Sequence, residues 1–209
     1  MKYLAFLLCG LCLGMEHTDT SIPNDPTVSF DFGEEQGAYV PSDAQKITFQ
    51  PDTSIGWISL LNANRVPEYL GHDYWEHVIV SEMLPHVRIL SNDSKQRLSA
   101  IFHPGGSRYD VAEVKVEYAE EYKPYDRVSE HTSFVTESGI HLGMTQKELT
   151  SLKGPAHNIT SQGATVLHYR IDDYEHSEFL QKYNMPIYYA NYTFEKGRLI
   201  AFEFGFEYP

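Results

Sequence analysis

The 209-residue chain carries ten histidines, and the densest group, His72, Glu76, His77 and His86 beside Asp73 and Trp75, is the first place to look for a metal centre. The spacing argues against one. His72 and His77 stand five apart, which on a helix separates their side chains beyond one shared face. His141, His157, His168 and His176 are scattered, and His168 falls inside a strand pattern. All read as loop, surface or structural histidines. The stretch Pro104-Gly105-Gly106-Ser107 lacks the G-x-S-x-G turn that exposes a serine nucleophile, so it reads as a hairpin turn. Glu120-Glu121 and Asp172-Asp173 offer paired carboxylates, but the separation on which such catalysis depends is not written in sequence, and solvated charge runs account for them. The only cysteines, Cys9 and Cys12, leave no disulfide or thiolate chemistry downstream. The expectation is therefore a protein that is not an enzyme, with no catalytic residues, metal or cofactor.

Binding chemistry is better represented. The chain has 15 tyrosines and 2 tryptophans, and tyrosine gives stiff contact area with a polar tip that tolerates water. Tyr174, Tyr183, Tyr188, Tyr189 and Tyr192, with Trp57, Tyr74 and Trp75 in the first half, are the candidate contact residues. Phe202, Phe204 and Phe206 alternate and read as core. Lysine plus arginine number 16 against 29 acids, a formal charge of -13, with no basic stripe to neutralise phosphates or anionic lipid. Nucleic acid is excluded as a partner, and a protein with a basic patch is favoured. Asn92, Asn158 and Asn191 each begin an acceptor sequon, relevant where exported proteins are glycosylated.

These residues need elements to position them. Thr145-Gln146-Lys147-Glu148 is a capping box, Met144 and Leu149 are placed as a hydrophobic staple, Leu152 extends the apolar face, and Gly154-Pro155 stops the helix. A helix over about 145–153 follows. Val166 to Ile171 reads as a strand, and Tyr188, Ala190, Tyr192 and Phe194 share one face of another. A turn at Glu195-Lys196-Gly197 leads into a last strand. That strand puts Ile200, Phe202, Phe204, Phe206 and Tyr208 on one face, and Leu199, Ala201, Glu203, Gly205 and Glu207 on the other. Phe179, Leu180 and Tyr183 mark an inserted helix within 173–183.

A shift of 83 residues places Gly56-Trp57-Ile58-Ser59-Leu60-Leu61-Asn62 on Gly139-Ile140-His141-Leu142-Gly143-Met144-Thr145, which reads as an internal repeat. Asn62 then takes the capping position, Val66 and Tyr69 match Leu149 and Leu152, and Gly71 matches Gly154; with Pro67 in its first turns, the first helix starts nearer Asn64. Arg97 to Phe102 echoes Arg198 to Phe202, and Ala112, Val114, Val116 and Tyr118 form a one-faced strand after the turn at Pro104-Gly105-Gly106. Residues 119–136 suit a polar connector. At the other end, Lys2 and the apolar run Leu4 to Leu13 suit a signal peptide over 1–15, cut after Gly14. A lipid anchor is the second reading, because Leu8 and Leu11 stand where a small residue precedes a modified cysteine. Residues 16–45 read as a solvated acidic leader, apart from Val28, Phe30 and Phe32, which alternate as an edge strand.

Gly139 to Thr145, continuing through Leu149, Leu152, Gly154 and Pro155 into strands, resembles the SmpA/OmlA group of outer-membrane assembly lipoproteins and the tandem-repeat beta-lactamase inhibitory proteins. The likeness covers roughly the last seventy residues well and 47–118 weakly. It departs at Leu60, where a glycine is expected, and at Lys153, a usually apolar position. The resemblance implies an α+β fold of two tandem helix-on-antiparallel-sheet modules, beta-lactamase inhibitory protein-like, at 46–122 and 123–209. It also implies export to the periplasm or cell envelope, and action by protein contact without direct membrane insertion after signal cleavage. Two alternatives remain open. One is a small-ligand-binding protein or hydrolase with its site between the modules, where residues 72–86 and 173–189 converge. The other is a purely structural envelope component.

Overall fold

Alternation, interrupted by irregularities at Ile101/Phe102 and Leu199/Ala201, gives β4 (Gln96–Phe102), β5 (Val111–Tyr118), β9 (Ile187–Glu195) and β10 (Arg198–Glu207) one mainly apolar side each, and these strands form the middle of an eight-stranded sheet. The computed structural model describes residues 49–62, 71, 73–80, 84–103, 110–161 and 163–207. Around the four central strands lie β3 (His86–Leu90) and β6 (Arg127–Val128) on one side, and β7 (His157–Ser161) and β8 (Ala164–Ile171) on the other. The spatial order is β6-β3-β4-β5-β10-β9-β8-β7, and only the β3–β6 pair is parallel. Among the described residues there are also two short α-helices, α1 (Gln146–Lys153) and α2 (Glu178–Tyr183), and a small hairpin of β1 (Ser54–Ile55) and β2 (Ile58–Ser59), so the fold is α+β. The signal segment, the leader with Val28, Phe30 and Phe32, His72, the first helix with Val66, Pro67 and Tyr69, the turn at 104–106 and Tyr208 lie outside the described residues.

The register across the middle is specified twice over. On one face Phe202 stands opposite Val116 and Phe204 opposite Val114; on the other Glu203 stands opposite Lys115. A slip of one residue would turn the phenylalanines to water and break the charge pairing. Gly205 sits in this seam against Glu113. A Cβ there would lie 2.5 Å from the Ala112 carbonyl oxygen and 2.7 Å from Glu113 Cα, backbone atoms that yield only if the strands part. Gly205→Ala is expected to cost about 1–3 kcal/mol in urea unfolding and to speed amide exchange in β5 and β10. A cost under about 0.5 kcal/mol, the scale of an ordinary surface change, would show that the seam is looser than this.

The apolar face is covered by α1, α2, the β1–β2 hairpin and the segment 134–144, which join the strands in one hydrophobic cluster. In α1 the capping box forms as read from sequence: the Glu148 amide donates to Thr145 Oγ1 at 3.2 Å, and the Thr145 amide donates to Glu148 Oε2 at 2.7 Å. Met144 and Leu149 are buried. Leu152 is not; it is 50% exposed, and the helix instead turns Lys153 inward, four residues on from Leu149 and on the same face. The inserted helix is α2, shortened at its start because Ser177 caps it by accepting the Leu180 amide at 3.2 Å.

Two further readings are corrected. A bulge between Leu199 and Ala201 breaks the alternation of β10, so Leu199 joins Phe202 in the core while Ile200 is only half-buried. The strand that mirrors β10 across the central seam is β5, whereas Arg97 to Phe102 belongs to β4. Gly56 and Gly139, at an offset of 83, both have positive φ, whereas Ile58 and Leu60 are buried as Ile140 and Leu142 are, at an offset of 82. On that offset Leu61, at φ 50, takes the left-handed place of Gly143, at φ 87. The Leu61 amide donates to the Val111 carbonyl at the start of β5, and the Gly143 amide donates to the Leu199 carbonyl at the start of β10.

Candidate functional site

Strand alternation sends the other side chains of β5, β10, β9 and β8 to the face away from the helices, where all remain at least partly exposed except Gly205. The register aligns them in rows. One row reads Arg88, Ser99, Lys115, Glu203, Asn191 and His168, strand by strand. Within it the Asn191 amide donates to Glu203 Oε1 at 2.8 Å, and the Asn191 carbonyl oxygen meets His168 Nδ1. A neighbouring row reads Ile101, Glu113, Gly205, Tyr189 and Arg170. With no side chain at Gly205, the Tyr189 hydroxyl reaches over it to the Glu113 carboxylate.

The charge on this face is one-sided. Over β5, β10, β9 and β8 the acids Glu113, Glu117, Glu203 and Glu207 stand among Lys115 and Arg170, both already engaged, and buried Arg97 reaches Glu117 from the neighbouring strand at 3.9 Å. Lys115 Nζ lies 2.8 Å from Glu117 Oε2, and Arg170 grips Glu207 through two nitrogens at 2.6 and 3.0 Å. The Arg170 hydrogen bond holds Glu207 below the ordinary glutamate range. Glu113 moves the other way. Burial pushes its carboxyl up, the nearby Glu203 charge adds to this, and the Tyr189 hydrogen bond opposes it. Because folded Glu113 holds its proton more tightly than the unfolded residue, it contributes stability that is fully present below the unfolded value and is lost as pH rises through the folded one. Glu113→Gln is therefore expected to be more stable than wild type at neutral pH, with the two urea midpoints converging as the pH falls to about 4. A variant less stable at neutral pH would overturn that sign.

A shallow hollow of ≈190 Å³ lies over the small side chain of Ala201, lined by Lys115, Asn191, Thr193, Phe202 and Glu203. It is smaller than the ~300 Å³ at which pockets for drug-sized ligands begin. Among the described residues no three His, Cys, Asp or Glu side chains gather as metal ligands.

At the β3–β4 end the same face is closed by residues 119–128. Asp126, 5% exposed, lies between two buried guanidiniums, with Oδ1 3.1 Å from Arg88 Nε and Oδ2 3.0 Å from Arg97 Nη2. Arg88 also donates to the Pro124 carbonyl at 2.6 Å and Arg97 to the Glu121 carbonyl at 2.5 Å. Sequence reading missed this latch. The segment offered only polar composition, and β3 escaped notice because both its faces are buried, which erases alternation. The edge strand β7 was missed as well.

The tyrosines expected to form one contact surface are divided. Tyr188 and Tyr192 are 0% and 1% exposed and belong to the core; the Tyr188 hydroxyl donates to the Asp52 carbonyl at 2.7 Å. Both are withdrawn as contact residues. Tyr189, one residue along the strand from Tyr188, must face the opposite way and joins the acidic face. Tyr183 packs on Phe206 with ring centroids 5.1 Å apart, and Tyr174, 39% exposed, donates to Asn184 Oδ1. Trp57 stacks on His131 at 3.9 Å. Tyr74 and Trp75 lie in a 3-10 helix, Tyr74–His77, and their side chains are outside the described structure. Comparisons with family models, curated proteins and solved structures return no match.

Proposed function

We propose that the chain is an exported, non-catalytic envelope protein that binds a protein partner carrying a basic patch through the outer face of its sheet. The observation that carries the reading is the acidity of that face, where Glu113, Glu117, Glu203 and Glu207 stand together and the cations among them, Lys115 and Arg170, with Arg97 at the edge, are already paired with these acids. Complementary potential of this kind raises the association rate and fades with salt. The tyrosine contribution narrows to Tyr189, because the core takes Tyr188 and Tyr192.

The architecture behind it is two tandem helix-on-sheet modules joined edge to edge at β5 and β10, in the manner of the beta-lactamase inhibitory proteins and the SmpA/OmlA group. The mirrored strand order on either side of that seam supports this, as do the matching burial and amide bonds of 58–61 and 140–143.

The test is affinity capture from native envelope extract, with wild type beside Glu117→Lys/Glu203→Lys, a variant whose changes lie on half-exposed positions. A protein retained by wild type at low salt, released as salt is raised and lost to the variant is the expected result. Equal recovery of every protein by both baits would sink the reading. Capture of a small polar molecule or turnover of an ester or peptide substrate by wild type would favour the ligand-binding alternative.

A further inference from the structure

The segment 119–128 does more than cover two arginines. It is pinned along its length: the Ala119 amide donates to the Lys95 carbonyl, the Lys123 amide to Asp126 Oδ2, the Tyr122 hydroxyl to the Asp126 carbonyl, and the Ser129 amide just beyond it to the Leu90 carbonyl. The latch is made by Asp126 and by backbone carbonyls. Yet this fixed strap holds three large apolar groups out in water, Tyr122 at 66%, Tyr125 at 62% and Val128 at 58% exposed. A rigid loop that displays tyrosines loses little freedom when something docks on it, which is the condition for a strong contact.

Tyr125 sharpens the point. Its backbone is left-handed, at φ 68, where a side chain is strained and glycine is not. Glycine would fit this backbone with less strain, and the tyrosine ring gains little burial in exchange, being 62% exposed. The surroundings say what kind of surface that is. Glu120 and Glu121 in the strap and Glu130 just beyond it are exposed, against one half-exposed lysine, Lys123, and Arg127, which reaches toward Asp73 at 3.7 Å. Glu117, 3.9 Å from Arg97, carries the acidity on from the strap to the open sheet face.

We infer that Tyr122, Tyr125 and Val128 are the apolar anchor of the protein interface, seating against an apolar spot ringed by lysines or arginines on the partner. The inference rests on the protein-binding reading above and places its centre on the strap instead of on β9.

Photo-cross-linking tests it, with a benzophenone amino acid placed singly in the full chain at positions 122, 125, 193 and 152 in the native cell. Position 193 samples the sheet face, and position 152 the exposed side of α1. The expected result is one adduct shared by 122 and 125 and absent at 152, with the partner's attached peptide rich in lysine or arginine. The cross-linked protein, purified, is then expected to bind Tyr125→Gly at least tenfold more weakly than wild type, although that variant melts at the same temperature or higher. Adducts at 193 alone would overturn the strap while leaving the sheet-face reading in place. Adducts at none of the four positions would overturn both. Undiminished binding by Tyr125→Gly would overturn the anchor role even where 122 and 125 cross-link.

Discussion

Lys153→Ala is expected to lower the unfolding free energy by about 3–5 kcal/mol, the scale on which breaking a buried ion pair from one side operates. Lys153 and Asp52 are 2% and 1% exposed, with Lys153 Nζ 2.8 Å from Asp52 Oδ2 and a second bond to the Gln50 carbonyl at 2.7 Å. Asp52 also accepts from the Ser138 amide and hydroxyl, while its carbonyl takes the Tyr188 hydroxyl. One residue, through its carboxylate and its backbone carbonyl, thus ties together the entry to the first hairpin, the turn before α1, the end of α1 and β9. Removing the lysine strands the buried carboxylate in the core with the Ser138 amide and hydroxyl but without its cation. The double variant Asp52→Asn/Lys153→Met keeps an acceptor for Ser138 and fills the lysine's volume, so it is expected to recover most of the loss. Urea unfolding of the two singles and the double reads both claims. Since an entire domain is stable by only about 5–15 kcal/mol, a single variant that stays folded with a shift under 1 kcal/mol would contradict the pair's importance.

Asp126→Ala is expected to be as damaging, at about 3–5 kcal/mol, for the opposite reason: it leaves two guanidiniums buried with no anion between them. Arg88 and Arg97 are 8% and 3% exposed, and the carbonyls of Pro124 and Glu121 stay close only while the strap is closed. The loss is expected to appear first as faster amide exchange across 119–128, then as a lowered urea midpoint. A loss under about 1 kcal/mol, the range of exposed salt bridges, would mean that water already reaches the arginines.

The helix of the second half was legible because its signals sit within four residues of one another. Thr145 and Glu148 bond to each other's amides, and the staple adds only Met144 and Leu149. The inserted helix was legible from the short spacing of Phe179, Leu180 and Tyr183, although it begins only at Glu178. Lys153 was visible only as a departure from an apolar position; its counter-ion, Asp52, stands in a stretch with no pattern of its own. Alternation named the shared face of Tyr188 and Tyr192, yet that same face was nominated for binding, because period-two spacing says which residues sit together and not which side the helices cover. The bulge at Leu199 to Ala201 moved two side chains across the sheet, and no local residue type announced it.

By itself, then, the amino-acid order determined a short capped helix, the pairing of alternating strands, an acidic charge of -13 and a mixed α and β composition. These rest on contacts between near neighbours or on simple sums, which need no knowledge of the rest of the chain. Tertiary structure alone decided which face of the sheet became core, where the buried charges found partners, and that a polar connector is clamped shut with tyrosines outward. The Lys153 bond spans 103 residues and the Tyr188 bond 136. At such separations the energy of a buried charge or hydroxyl is set by whatever the fold brings beside it, and that neighbour is written nowhere near it in the sequence.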